Sequence, residues 1–104
     1  MARFSTVLIP SCDEAVLLTP NSSSASAIQT IGKNRIFAIN ADQDITIRFM
    51  NAAGPSLTAD NADYRIPANQ QTTLDTGQAF DSFEVFNLSG SSAANVYYQT
   101  LTVV

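Results

Sequence analysis

Short runs of β-branched and aromatic residues, each stopped by Pro, Gly, Asn, Asp or Ser, recur along this chain at a spacing of roughly ten residues. The pattern is plainest in Asp44–Asn51, where Ile45, Ile47 and Phe49 fall on one face and Thr46 and Arg48 on the other. An alternation of period two belongs to a strand with one face buried. The two windows that could read as helix, Cys12–Leu18 and Ala25–Ile31, are short and lack strong periodicity at i, i+3 and i+4. About nine or ten strands at this rhythm predict an all-β chain: a single-domain antiparallel β-sandwich, jelly-roll-like, or a closed β-barrel. At 104 residues the chain has the length of one domain, and no internal repeat or linker divides it.

The punctuation places the segments. Phe4–Ile9 ends at Pro10-Ser11, and Glu14–Thr19 ends at Pro20-Asn21 before the polar tract Ser22–Ser26. Ala27–Ile31 closes at Gly32, Tyr64–Ile66 at Pro67, and Thr72–Leu74 at Asp75-Thr76-Gly77. Arg35–Ala41 and Asp44–Asn51 flank Asp42-Gln43, a hairpin candidate. Phe80–Leu88 and Asn95–Val104, separated by the Ser89–Ser92 turn, are expected to form a second antiparallel hairpin. The expected core is Phe37, Ile39, Ile45, Ile47, Phe49, Ile66, Leu74, Phe83, Val85, Val96, Tyr98 and Leu101. Val96–Val104 is apolar on both faces, which suits a strand between layers or one covered by another subunit.

Composition narrows the function. The chain has no His and no Trp, one Cys, and only 13% charged residues, so the side chains that perform most acid–base, nucleophilic and metal chemistry are scarce. A third of it is Ser, Thr, Asn or Gln, short neutral groups that cost little entropy to order under a neighbour. A net charge of −4, with Arg3, Lys33, Arg35, Arg48 and Arg65 scattered, argues against nucleic acid and anionic lipid as partners. Cys12 reads as a small buried hydrophobe, since a lone cysteine closes no internal disulfide. Leu8-Ile9-Pro10-Ser11-Cys12 loosely resembles a lipid-attachment box, but the apolar stretch before it is too short for a signal sequence. No segment has the uninterrupted apolar length of a membrane helix, and the expectation is a soluble protein made in the cytoplasm without a secretion signal.

Candidate sites are sparse. Asp42 and Asp44, two apart, and Asp60-Asn61-Ala62-Asp63 offer oxygens, but neither has calcium-loop spacing, and they read as solvated turns. Asp75, Asp81 and Glu84 could be paired for glycoside hydrolysis, yet no spacing selects a pair. Lys33 sits in the Gly32-Lys33-Asn34 turn without the flanking residues of a phosphate loop. No catalytic residue, metal ligand or cofactor site is therefore expected. Tyr64, Tyr97 and Tyr98 could stack on a sugar, although adjacent Tyr97 and Tyr98 must point to opposite faces, and a core or interface role fits them better.

Tyr64-Arg65-Ile66-Pro67-Ala68, Phe80-Asp81-Ser82-Phe83-Glu84-Val85-Phe86-Asn87, Ser89-Gly90-Ser91-Ser92-Ala93 and Val96-Tyr97-Tyr98 together resemble small β-sandwich structural proteins of tailed bacteriophages, of the head decoration or cement type. The resemblance implies a virion protein on the capsid exterior, a homotrimer that bridges and stabilises neighbouring major capsid subunits, with no catalytic residues to carry over. The alternative is a glycan- or receptor-binding module of a phage tail or host-attachment structure. Partner contacts are expected on the terminal strands, through Phe4, Val7 and Ile9 at one end and Tyr97, Leu101 and Val103 at the other.

Overall fold

The structure is a computed structural model that describes residues 8–10, 15–54, 60–61 and 63–103, with backbone alone at 103. Within them the chain forms nine strands and no helix: β1 (Leu8–Pro10), β2 (Val16–Leu18), β3 (Gln29–Thr30), β4 (Ile36–Ala41), β5 (Ile45–Met50), β6 (Tyr64–Ile66), β7 (Thr72–Asp75), β8 (Ser82–Asn87) and β9 (Val96–Val103). They make two sheets. In the first, the order is β1–β9–β4–β7, with β2 also paired to β9; in the second it is β3–β8–β5–β6. Leu8 pairs with Val103 and Pro10 with Leu101, while Val16 pairs with Tyr98 and Leu18 with Val96. β1 and β2 thus run along one edge of β9 as two halves of an interrupted strand. Every pairing is antiparallel. Counted this way, two four-stranded sheets connect by crossing from one to the other, which is the jelly-roll arrangement of a sandwich. The sandwich reading holds and the closed barrel does not.

Neither expected hairpin forms. β4 lies in the first sheet and β5 in the second; β8 lies in the second and β9 in the first. The reason is in the connections themselves, which bind each other instead of closing on their own strands. Asp42 N–H donates to the Asn95 carbonyl at 3.2 Å, and Leu88 N–H donates to the Asp44 carbonyl at 3.0 Å. The Asp42 carboxylate accepts from Asn95 N–H at 2.8 Å and from Asn95 Nδ2 at 2.9 Å. Two chain crossings are in this way clamped side by side at one end of the sandwich, and each strand leaves its corner toward a different sheet.

The core lies between the sheets. Phe37 of β4 stacks on Phe83 of β8 across the gap, centroids 4.7 Å apart and rings within 3° of parallel. Tyr98 meets Phe83 edge-on at 5.0 Å, a favourable approach of positive ring edge to negative face. Its hydroxyl donates to Gln29 Oε1 at 2.8 Å, so the buried phenol is satisfied from the opposite sheet. Ile39, Ile45, Ile47, Ile66, Val85 and Val96 complete the expected cluster, with Phe49 and Leu74 packed against it from half-buried positions. Leu101 is corrected: the positions of β9 that point inward are Val96, Tyr98 and Thr100, so Leu101, an odd number of residues along from each, stands half-buried on the outer face. Ala41 and Ala94, both buried, were not expected in the core.

One polar group organises the corner end from within. Asn87, fully buried, donates through Nδ2 to the carbonyls of Pro20, Asn21 and Ser92 and accepts from Ser89 N–H at Oδ1. At the opposite end Thr76 donates to the Gly32 carbonyl at 2.8 Å and accepts from Arg35 N–H at 3.0 Å. Gly77, just beyond, has φ of 69°, a left-handed conformation that costs a side-chain-bearing residue roughly 1 kcal/mol or more.

Candidate functional site

The outer faces of the two sheets are built from the strand positions that alternate with the core. On the first sheet the register lays them out in rows. Leu17 stands beside Tyr97 and Tyr97 beside Asn40; Gln99 beside Ala38 and Ala38 beside Thr73; Pro10 beside Leu101, then Ile36, then Asp75. Asp75 is the single charge in these rows. Leu17 and Tyr97 are each 47% exposed, which is high for large apolar side chains sitting on regular strands. Among the described residues, the edge of this sheet beside β9 is formed by β1 and β2, three residues each.

Where this face meets the clamped corners, Tyr97, Asn40, Asn69, Gln71, Asn95 and Asp42 line a depression of about 460 Å³. Each wall comes from a different element. Asn40 is on β4, Tyr97 on β9, and Asn69 and Gln71 on the connection between β6 and β7. Asn69 takes a left-handed φ of 60° and donates its N–H to the Ala41 carbonyl at 2.7 Å, which fixes that connection against the corner. Both Asp42 oxygens are occupied by Asn95, and the Asn95 backbone N–H, with the Asn95 amide behind it, holds this carboxyl below its usual range. The site can thus present an aromatic ring face, amide donors and acceptors, and no cation.

The structure separates the residues that the sequence suggested for metal or catalytic chemistry. Asp44 turns away from Asp42: it pairs with Arg65 and accepts from Ala68 N–H at 2.8 Å, and that backbone bond, then Arg65, lowers its pKa. Asp63 Oδ2 accepts from Asp60 N–H at 2.8 Å, while its Oδ1 lies 3.9 Å from Arg48 Nε. Asp75 accepts from Gly77 N–H within its own turn, and Asp81 accepts from Ser82 Oγ and Ala52 N–H. The Ser82 hydroxyl, first, and the Ala52 N–H hold the Asp81 carboxyl low. Glu84 is buried on β8 opposite Arg48 of β5. Lys33 is exposed in its turn. Each described carboxylate named here is engaged by neighbouring chain, and among the described residues no three His, Cys, Asp or Glu side chains converge as metal ligands would.

Of the expected partner-contact residues, Ile9 and Tyr97 are exposed and Leu101 is half-buried on the outer face. Val103 pairs through its backbone with Leu8. Phe4, Val7 and Cys12 lie outside the described residues. The three tyrosines do not form one platform: Tyr98 is in the core, Tyr64 is 63% exposed on the edge strand of the second sheet, and Tyr97 is on the first sheet. Asn40, Asn69 and Gln71 were missed because an amide on a strand face or in a turn reads as solvent-facing filler. The signal that was available is the amide run Asn69-Gln70-Gln71 directly after the Pro67 break.

No protein-family model matches the chain, and no curated protein matches it. A solved structure from work on Bacillus endospore appendages, described there as a novel family of disulfide-linked pili, is similar at a TM-score of 0.48 and 12% identity, over 97% of this chain and 91% of that one.

Proposed function

We propose that this protein is a non-enzymatic structural subunit that works by burying the open outer face of its first sheet against protein neighbours. Its setting in this reading is the exterior of a bacteriophage capsid, where a homotrimer bridges major capsid subunits. The observation that carries the reading is the row pattern of that face: Leu17, Tyr97, Leu101, Ile36 and Ala38 across three strands with a single charge at the margin. Apolar groups on a regular sheet gain free energy when a partner covers them, by about 25 cal/mol per Å² removed from water. The short edge strands β1 and β2 add a second mode of attachment, since an incoming strand there gains main-chain hydrogen bonds without any special side-chain chemistry.

The test is the copy number of the chain in purified virus particles, measured by quantitative mass spectrometry before and after a wash in about 0.5 M salt. On the order of hundreds of copies that survive the wash are expected, because screening weakens exposed charge pairs and leaves apolar burial intact. Absence from particles, or release by salt, overturns the reading. Leu17→Glu should fold normally and fail to join the particle.

A further inference from the structure

We propose that the depression beside Tyr97 is a binding site for a neutral, hydroxyl-rich carbohydrate. The side-chain amides of Asn40, Asn69 and Gln71, from two separate elements, line it and make no hydrogen bond among the described residues. An amide presents a donor and an acceptor side by side, the arrangement that matches two neighbouring sugar hydroxyls. Tyr97, 47% exposed, supplies an apolar ring surface for the C–H face of a pyranose, while its hydroxyl stays available to solvent or ligand. The volume, about 460 Å³, falls among small-ligand clefts, which span roughly 300–1,000 Å³.

Charge sets the ligand class. Among the described residues no Lys or Arg lines the depression, and its one ionised group is the Asp42 carboxylate, which accepts from Asn95 N–H. An anionic sugar would meet that charge with nothing to offset it, so a neutral one is selected. The backbone of the walls is already in place: two hydrogen bonds from Asn95 to Asp42 and the Asn69 N–H bond to the Ala41 carbonyl hold it, so the ordering cost of binding falls on the amide side chains alone.

The experiment is a titration of the full chain, labelled with ¹⁵N, with the methyl glycosides of glucose, galactose, mannose and N-acetylglucosamine, each taken to the order of 10 mM, where millimolar affinities are visible. N-acetylneuraminic acid serves as the charged counterpart. At least one neutral glycoside is expected to shift the side-chain amide signals of Asn40, Asn69 and Gln71 and to receive saturation transfer from the Tyr97 ring. Gln71→Ala and Asn69→Gly, the latter keeping the left-handed backbone free of strain, should each weaken that binding by about fivefold, the size of one lost neutral hydrogen bond. Tyr97→Phe should retain it and Tyr97→Ala should lose it. No response to any neutral glycoside, tighter binding of N-acetylneuraminic acid, or shifts that persist in the Asn69→Gly/Gln71→Ala double variant would each overturn the proposal. The titration uses the free chain because the neighbour of the proposed function would cover Tyr97; Asn69 and Gln71 lie off the rows of the sheet face, so those two variants leave particle incorporation unchanged and the outcomes can be told apart.

Discussion

The outer faces of the two sheets are constructed to the same period and have opposite fates. On the second sheet Thr46 and Met50 of β5 and Ser82 and Glu84 of β8 alternate with core residues, point away from the core, and are nevertheless buried. Asp60 and Asp63, described residues just before β6, lie against that face: Thr46 Oγ1 donates to the Asp60 carbonyl, and Asp63 reaches toward Arg48. Asp81 fixes the start of the connection from β5 to β6 through Ala52 N–H. On the first sheet the equivalent positions, Leu17, Tyr97, Gln99 and Ile36, are exposed or half-buried. The covered face carries Arg48 and Glu84 as a cross-strand pair; the open one carries apolar groups and amides. A face that the chain closes for itself can hold charge, because its own loop supplies the partners. A face left open and apolar is fitted to something else.

The sharpest way to break this comparison is to put the same charge on both faces. Met50→Glu buries a carboxylate at a site 2% exposed and is expected to cost about 3 kcal/mol or more, a fall in Tm on the order of 10–20 °C. Leu17→Glu should change stability by no more than about 0.5 kcal/mol. Equal losses in thermal melts would show that the two faces are not different in kind. A smaller effect, about 1 kcal/mol by urea unfolding, is expected for Thr46→Val, which keeps the shape of the side chain and takes the Thr46 hydroxyl from the Asp60 carbonyl, leaving it the longer bond from Asp63 N–H at 3.4 Å. Faster hydrogen exchange at Asp60 and Asp63, with the first sheet unchanged, would locate the loss in the cover.

The smallest effect is that of acid. The folded state lowers the pKa of Asp42, Asp44 and Asp81, so each contributes stability above its unfolded value near 3.9 and loses it as pH falls through the lower folded value. Asp42 is exposed and Asp44 and Asp81 are half-buried within reach of solvent, so screening keeps the contribution modest. Tm should decline below about pH 4, and Asp81→Asn, which weakens the anchor of the covering loop, should flatten part of that decline. A Tm independent of pH down to about 2 would contradict the assigned hydrogen bonds.

Strand positions and faces were legible in the sequence because they are local. Tyr64–Ile66 falls where Pro67 stops it, and the alternation through Ile45, Ile47 and Phe49 points inward as read. Partners were not legible. A period of two says which face a residue joins and nothing about which strand lies beside it, so Asp42-Gln43 and the Ser89–Ser92 turn look like hairpin loops when they are corners between sheets. Leu101 was misplaced for a related reason: β9 is apolar on both faces, and only the register with Ile36 shows which side is inward. Met50 sits at an outward position and is nonetheless buried, which no strand pattern reveals. The amide-lined depression needed the fold to bring β4, β9 and the β6–β7 connection to one place.

The central position of β9 also sets a timetable. It holds β4 on one side and β1 with β2 on the other, so the first sheet cannot close until Val96–Val103 has emerged from the ribosome. At about 5–20 residues per second, Leu8–Leu18 waits roughly 4–20 s for its partner strand. The second sheet waits in the same way for β8, which joins β3 to β5. Only β5 with β6 and β4 with β7 can pair earlier among the described strands. Synthesis therefore produces two waiting strand pairs, and the two closing strands arrive together at the end of the described chain. A nascent chain of this design is most exposed to chaperones and to wrong strand partners just before β9 emerges.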